Sequence, residues 1–451
     1  MFDLALLNGM IVTPEGVFKG NLYAANGKIA ALTDSAHRLE ARQVLDASGK
    51  YVFPGAIDVH AHLNDPGFTW REDFAHGTRA AVFGGVTTVV DMPLQNEPAL
   101  TTAALFHRKD DLVRPSAWAD YAFWGGLVED NLSELKGMHD AGVVAFKVFI
   151  GPVSPDYSSL NMGQVRRAMQ TVAAFGGMIG FHAEDYSVIK HEEELAQKKG
   201  TPDRRDFLNT RPADAEILAV RNVIDLMRRT GVRAHICHVS HPDAAELIAE
   251  AQREGLPLTA ETCSHYLTFT EDDLMERGML FKCAPPLRTA SERDRLWSYV
   301  ADGTLSCVAS DHSPCAPHEK DERQGTLKAW GGISGIQSLV QVFFDQAVVR
   351  RGFSPELVAQ RLSEGPARAF GLWGRKGALL PGFDADIVVL NPRTPWTITP
   401  DSLHYLNRIS AFTGLSGTGL PETTILRGSV VCSGGEFTAQ AASGTLVRRN
   451  A

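Results

Sequence analysis

The sequence predicts an α/β fold: a (β/α)8 TIM barrel carrying a small β-sandwich domain formed by both termini. Three observations predict it. Eight short apolar runs recur through the middle of the chain. Helical patterns with one apolar face separate them. The two ends instead alternate apolar and polar residues between turn signals, as half-buried strands do.

At the N-terminus, ALLNGMIV, NLYAANGKIAAL and the stretch ending VLDASGKYVF are punctuated by Asn-Gly and Ser-Gly, which read as turns. DADIVVLNP, TILRGSVVCSGG and TLVRR supply matching strands at the C-terminus. The expected division is residues 1–53 and 377–451 for the β-sandwich and 54–376 for the barrel. Length allows this, because a 451-residue chain accommodates a barrel of about 250 residues and more.

The eight central runs are YVFPGAIDVHAH, VTTVVDMP, YAFWGGLV, VVAFKVFI, MIGFHAED, RAHICHVS, PLTAETCSH and LSCVASDHS. They are nearly continuous in hydrophobicity and bounded by Gly, Pro, Asp or Ser, as strands buried on both faces are. One intervening helix is expected from Asp214 to Thr230, with Ile217, Leu218, Val223, Ile224 and Met227 at helical spacing and Gly231 as its stop. A second is expected from Asp243 to Glu254, stopped by Gly255. Serial β-α alternation with eight strands favours a barrel over an open sheet.

Composition narrows the partners. The formal net charge is −9 and no basic run stands out, which disfavours nucleic-acid backbones. No run of 18 apolar residues suggests a membrane span. The N-terminal MFDLALLNGMIV lacks a basic leader and reads as a strand. The six cysteines include no C-x-x-C pair and make no disulfide framework at this length. A reducing compartment, the cytoplasm, is the expectation.

In a barrel, chemistry gathers at the C-terminal ends of the strands. The first run ends in His60 and His62, whose i, i+2 spacing aims both imidazoles the same way. The fifth run carries His182, the sixth His238 and the eighth Asp311. Each alone has an ordinary structural explanation; their conjunction at strand ends does not. Lys147 lies inside the apolar run VVAFKVFI. Burial disfavours its charged form, and a neutral amine there can add carbon dioxide to become a carbamate with two oxygens. The ordinary alternative is a lysine that snorkels out at a strand end. Imidazole and carboxylate donors suit divalent metals. Two metals sharing a water would make it a nucleophile at neutral pH, with Asp311 accepting its proton and passing it to a departing nitrogen. The reaction class is metal-assisted amide hydrolysis.

These residues carry a resemblance. PGAIDVHAHLNDPG, FGGVTTVVDMP, FKVFIG, HAED, CHVS, ETCSHYL, CAPPLR, ASDHSPC and GALLPGFDADIVVL fall in the order found in the cyclic amidohydrolases. The chain is similar over essentially its whole length to that family of dihydroorotases, hydantoinases and allantoinases. The resemblance implies two divalent metals per subunit, zinc foremost, with manganese, cobalt or iron as alternatives. It implies His60 and His62 on the first metal and His182 and His238 on the second. Lys147, carboxylated by carbon dioxide to N6-carboxylysine, would bridge both. Asp311 would bind the first metal and act as base. It also implies a homotetramer.

Substrate signals divide the family. Dihydroorotases carry Arg two residues after the second histidine, where this chain has Asn64. D-hydantoinases carry Tyr five residues after the lysine, where this chain has Pro152. HLNDPG, DMPLQNEP, HSPC and KAWGGISGIQS resemble allantoinases, implying (S)-allantoin opened to allantoate in purine degradation. Phe68–Phe74, FTWREDF, departs from the Trp-Glu-Gly usual there, and MHDAGVVAFK is similar to hydantoinases. The alternative is therefore a hydantoinase or imidase opening a 5-substituted hydantoin or dihydropyrimidine. Behind it come a dihydroorotase, a non-catalytic dihydropyrimidinase-like assembly protein, and a deaminase or phosphotriesterase of the wider superfamily. The resemblance points to Asn64, Ala284 and Gly331 as substrate contacts, with His265 nearby. Asn64 also has a plain reading, as an Asx-turn residue before Asp-Pro-Gly.

Overall fold

A computed structural model describes residues 1–151 and 157–450; Pro152, one of the positions that separates D-hydantoinases, lies outside them. The N-terminal segment folds as β1 (Phe2–Thr13), β2 (Gly16–Ala25), β3 (Lys28–Asp34), β4 (Ala41–Asp46) and β5 (Tyr51–Pro54). The expected Asn-Gly hairpin joins β2 to β3, with Asn26 and Gly27 both at positive φ, as a two-residue hairpin turn requires. The first Asn-Gly behaves differently. Asn8 and Gly9 form no turn but an irregularity inside β1. Before it β1 pairs with β4; beyond it, with β5. A Cβ on Gly9 would meet Val52 Cγ2 at 2.6 Å, so close strand approach, rather than chain reversal, is what this glycine serves.

The central strands are β6 (Ala56–Ala61), β7 (Val86–Asp91), β8 (Asp120–Phe123), β9 (Gly125–Gly126), β10 (Phe146–Phe149), β11 (Met178–His182), β12 (Arg233–Ile236), β13 (Leu258–Cys263) and β14 (Cys307–Ala309). All eight apolar runs contain one, and β8 and β9 are a single run interrupted at Trp124. They form two parallel sheets, β6-β7-β8 and β9-β10-β11-β12-β13-β14. Trp124 carries the chain from one to the other. At the opposite seam the His62 amide donates to the His312 carbonyl at 2.8 Å, and Ala61 bridges His312 in parallel. Trp124 is fully buried among Val59, Val90 and Ala309, with its indole N–H on the Val59 carbonyl at 2.9 Å.

The two predicted helices form at Ala213–Thr230 and Pro242–Arg253. Gly231 ends the first at φ 68, the left-handed stop. Its buried face is Ala215, Ala219, Val220, Val223, Ile224 and Met227. Leu218, expected on that face, is 38% exposed. Leu218 stands off the arc of these buried positions, which an apolar-residue count overlooks.

The C-terminal segment returns as β15 (Ile387–Thr397), β16 (Ser416–Leu426), β17 (Ser429–Ser433) and β18 (Glu436–Phe437). β15 pairs antiparallel with β5, so strands from both ends make one nine-stranded sheet. It covers a core of its own, with Leu4, Ile11, Leu22, Val52, Ile387 and Ile425. TLVRR does not join it. The Tyr121 amide donates to the Thr445 carbonyl at 3.1 Å, and the Val447 amide to the Tyr121 carbonyl at 2.7 Å, which sets the last turn of chain beside β8. Lys376, buried where the segments meet, is held by Asp120, Asp384 and Asp386.

Candidate active site

His60 lies within β6 and His62 just past it, His182 ends β11, His238 follows β12, and Asp311 follows β14. The structure brings these strand ends together. His60 Nε2 and His62 Nε2 stand 3.3 and 3.6 Å from Asp311 Oδ1. These donor atoms lie mutually within 4.8 Å. The His182 and His238 rings are 4.5 Å apart, and His238 is 5.3 Å from His60, which joins the two pairs. His238 and Asp311 both have positive φ, a conformation uncommon outside glycine and recurrent at functional sites. Beneath them, Asp58 accepts from the Ser310 amide at 3.0 Å and from its hydroxyl, pinning the segment that presents Asp311.

Lys147 is 1% exposed in the middle of β10. Its Nζ has no hydrogen-bond partner among the described residues. Snorkelling is thus ruled out for this lysine, and an unpaired ammonium at that depth would be costly. His62 Nδ1 and His238 Nδ1 are likewise buried without partners. Burial lowers the pKa of His60 and His182 and sets His238 well below the ordinary range, leaving imidazoles with free lone pairs at neutral pH. Burial pushes Asp311 up, but His60 and His62 outweigh it and hold the carboxyl at about 2. Neutral imidazoles, one carboxylate and an orphaned buried amine form a donor set that fits divalent cations.

Sequence reasoning missed the carboxylates behind the histidines. His60 Nδ1 donates to Glu261. Glu261 also faces His235 Nε2 at 3.1 Å, and His235 Nδ1 bonds Thr259 Oγ1 at 2.8 Å. His182 Nε2 is 2.7 Å from Glu184, which Arg211 also grips. Burial raises both glutamates, but the charges around them win and both end low, Glu184 at about 2. Each carboxylate fixes one ring nitrogen as the N–H, so His60 offers Nε2 and His182 offers Nδ1. The signals were present: Glu184 stands two residues after His182, and Glu261 is a charge inside an apolar run, just as Lys147 is. Glu261→Gln is expected to weaken metal affinity by about 10- to 100-fold, measured by chelator competition on the folded protein. Unchanged affinity would remove Glu261 from that role.

Ala284 and Gly331 both line a cavity of about 460 Å³, with Phe68, Arg71, Gln95 and Arg211, and Arg211 links it to the cluster through Glu184 and His182. Asn64 does not line it. It is fully buried at φ 56 with both amide atoms unpartnered, so the Asx-turn reading fails. His265 is buried with both ring nitrogens unpartnered. It shares a donor cluster with Asp311 and Cys263, and burial sets its pKa at about 4. In the unusual loop, Arg71 rather than Trp70 faces the cavity. Its guanidinium lies 4.1 Å over the Trp330 ring and pairs with Glu319 at 2.6 Å, while Trp70 is 47% exposed.

Comparison with known proteins decides the family. The profile described as "Amidohydrolase family" matches residues 51–431. The chain belongs to the amidohydrolase family. It is a hydrolase of carbon–nitrogen bonds, as the site's donors suit it to be. A protein of Streptomyces avermitilis named allantoinase is 41% identical over 438 residues, 97% of each chain. An allantoinase of Escherichia coli strain K12 is 35% identical over 95% of each. Among solved structures, the L-hydantoinase (dihydropyrimidinase) from Arthrobacter aurescens superposes with a TM-score of 0.96 at 31% identity, covering all of both chains. A dihydropyrimidinase from Brevibacillus agri gives 0.92 at 28%, covering 100% of this chain and 99% of its own.

Proposed function

We propose that this chain hydrolyses the endocyclic amide of (S)-allantoin to give allantoate, a step of purine degradation. The observation that carries this reading is full-length similarity to two proteins named allantoinase, together with the buried His–Asp–Lys cluster. The hydantoinase and dihydropyrimidinase structures favour a second reading, a 5-substituted hydantoin or dihydropyrimidine as substrate.

In this reading His60, His62 and Asp311 would hold one divalent cation and His182 and His238 another. Zinc is foremost, and manganese, cobalt or iron would suit the same donors. Lys147, whose buried Nζ has no hydrogen-bond partner among the described residues, would as N6-carboxylysine, formed when the amine adds carbon dioxide and loses a proton, supply carboxylate oxygens to both. Cations held there would supply an acidified water and polarise the ring carbonyl. Asp311 accepts the proton as water oxygen bonds to the carbonyl carbon. The C–N bond then breaks, and Asp311 returns the proton to the departing nitrogen. Ala284 and Gly331 would receive the ring through backbone groups, and Asn64, whose two amide atoms lack partners among the described residues, is the candidate side-chain contact. The eight central strands act as a closed (β/α)8 barrel over 54–376, with a β-sandwich from 1–53 and 377–451. The reading includes a cytoplasmic homotetramer. The six buried, unpaired cysteines suit a reducing compartment, and no helix among the described residues is long and apolar enough to cross a membrane.

The test compares allantoin, hydantoin, dihydrouracil and dihydroorotate on protein carrying two metals per chain. Allantoin is expected to be turned over fastest by a wide margin. A hydantoin turned over faster would transfer the assignment to the second reading.

A further inference from the structure

Two lysines outside the donor cluster spend five of their six hydrogen bonds on one loop. Lys282 is 3% exposed. Its Nζ donates to the carbonyls of Thr326 at 2.9 Å, Leu327 at 3.0 Å and Ala329 at 2.5 Å. Lys320 Nζ donates to the carbonyls of Trp330 at 3.0 Å, Gly332 at 2.6 Å and Lys282 itself at 3.1 Å. An ammonium has three donors, so both are saturated, and the second lysine anchors the backbone of the first. Five carbonyls between residues 326 and 332 are thereby tied down. Trp330 adds its indole N–H to the Ser313 carbonyl at 3.0 Å, two residues past Asp311.

Gly331 is the exception within this loop. Its N–H and carbonyl make no hydrogen bond among the described residues, it lines the cavity, and a Cβ there would meet nothing within 4 Å. A loop of irregular backbone would ordinarily present several competing amide groups to the cavity. Here the lysines withdraw the neighbouring carbonyls and leave Gly331 facing open space.

We propose that Lys282 and Lys320 are positioning residues that latch the loop 326–332 so that the Gly331 backbone stands ready to receive the cyclic amide. The kinetic part rests on the proposed function; the latch itself does not.

The test uses full-length, metal-loaded protein with Lys282→Met and, separately, Lys320→Met. Two metals per chain should remain. Amide hydrogen exchange across 326–332 should quicken at least about tenfold. KM for whichever ring the parent opens fastest should rise about tenfold with kcat nearly unchanged, the pattern of lost uniform binding. Lys282→Arg and Lys320→Arg, which keep charge and donors, should recover part of both effects, and they carry the test if a methionine variant fails to fold. Parent-like exchange in the methionine variants overturns the latch whatever the substrate. So does loss of kcat and metal with KM unchanged, which would mark both lysines as mere fold supports. Quickened exchange in a protein that opens no cyclic amide would instead overturn the proposed function and leave the latch standing.

Discussion

Lys147→Ala is expected to abolish hydrolysis and to lower metal content below two per chain. The reasoning is local. Nothing among the described residues satisfies Lys147 Nζ at its depth, and a bare ammonium there would repel the cations that the surrounding donors fit. A carbamate reverses that sign, turning an unpaired cation into an anion with two ligand oxygens. Alanine removes the amine on which the proposed carboxyl group would form. Short carboxylic acids such as acetate or propionate should restore part of the activity by occupying the vacated space with an equivalent carboxylate. Turnover is read beside elemental analysis of metal. Full activity in the alanine variant would sink the bridging role altogether.

Asp311→Asn should cost about three orders of magnitude or more in kcat, because a ligand and a proton acceptor are lost together. Asparagine is the informative substitution. Asp311 stands at φ 43, and asparagine tolerates the left-handed region better than most residues, so the fold should persist. Circular dichroism and a thermal melt check that. The flanking His60 and His62 hold the native carboxyl at about 2, so it is ionised throughout the neutral range. The amide cannot accept a proton. Activity within about tenfold of the parent would remove Asp311 from the mechanism.

Much of this site was legible from residues alone. His60, His62, His182, His238 and Asp311 were readable because a buried parallel strand is nearly continuous in hydrophobicity, which makes a polar residue at its end conspicuous. Lys147 stood out as a charge inside such a run. The same rule applied to Glu261 would have found it too. Asn64 was noticed by position, but its buried, unpartnered amide is a packing fact. Leu218 was misplaced because it was counted for being apolar, although at about 3.6 residues per turn it stands off the arc that Ala215, Ala219, Val223 and Met227 bury.

Lys282 and Lys320 could not be read this way. Each lies in a segment without periodicity, where a lysine ordinarily means a solvated surface, and their partners are carbonyls that every residue possesses. The Asn8-Gly9 pair has the same lesson in reverse: its composition signals a turn, and only the approach of Val52 makes it an irregularity inside a strand.

The sequence by itself determined the alternating strands and helices, the placement of candidate metal-binding side chains at strand ends, and the kinship to cyclic amidohydrolases, because these depend on local period and on residue type. The tertiary structure alone decided which ring nitrogens face inward, which carboxylates hold them, and which loop is latched beside the cavity. His60 meets Glu261 across 201 residues and Arg71 meets Glu319 across 248. Contacts at such separations arise only when the strands assemble side by side, and no local pattern encodes them.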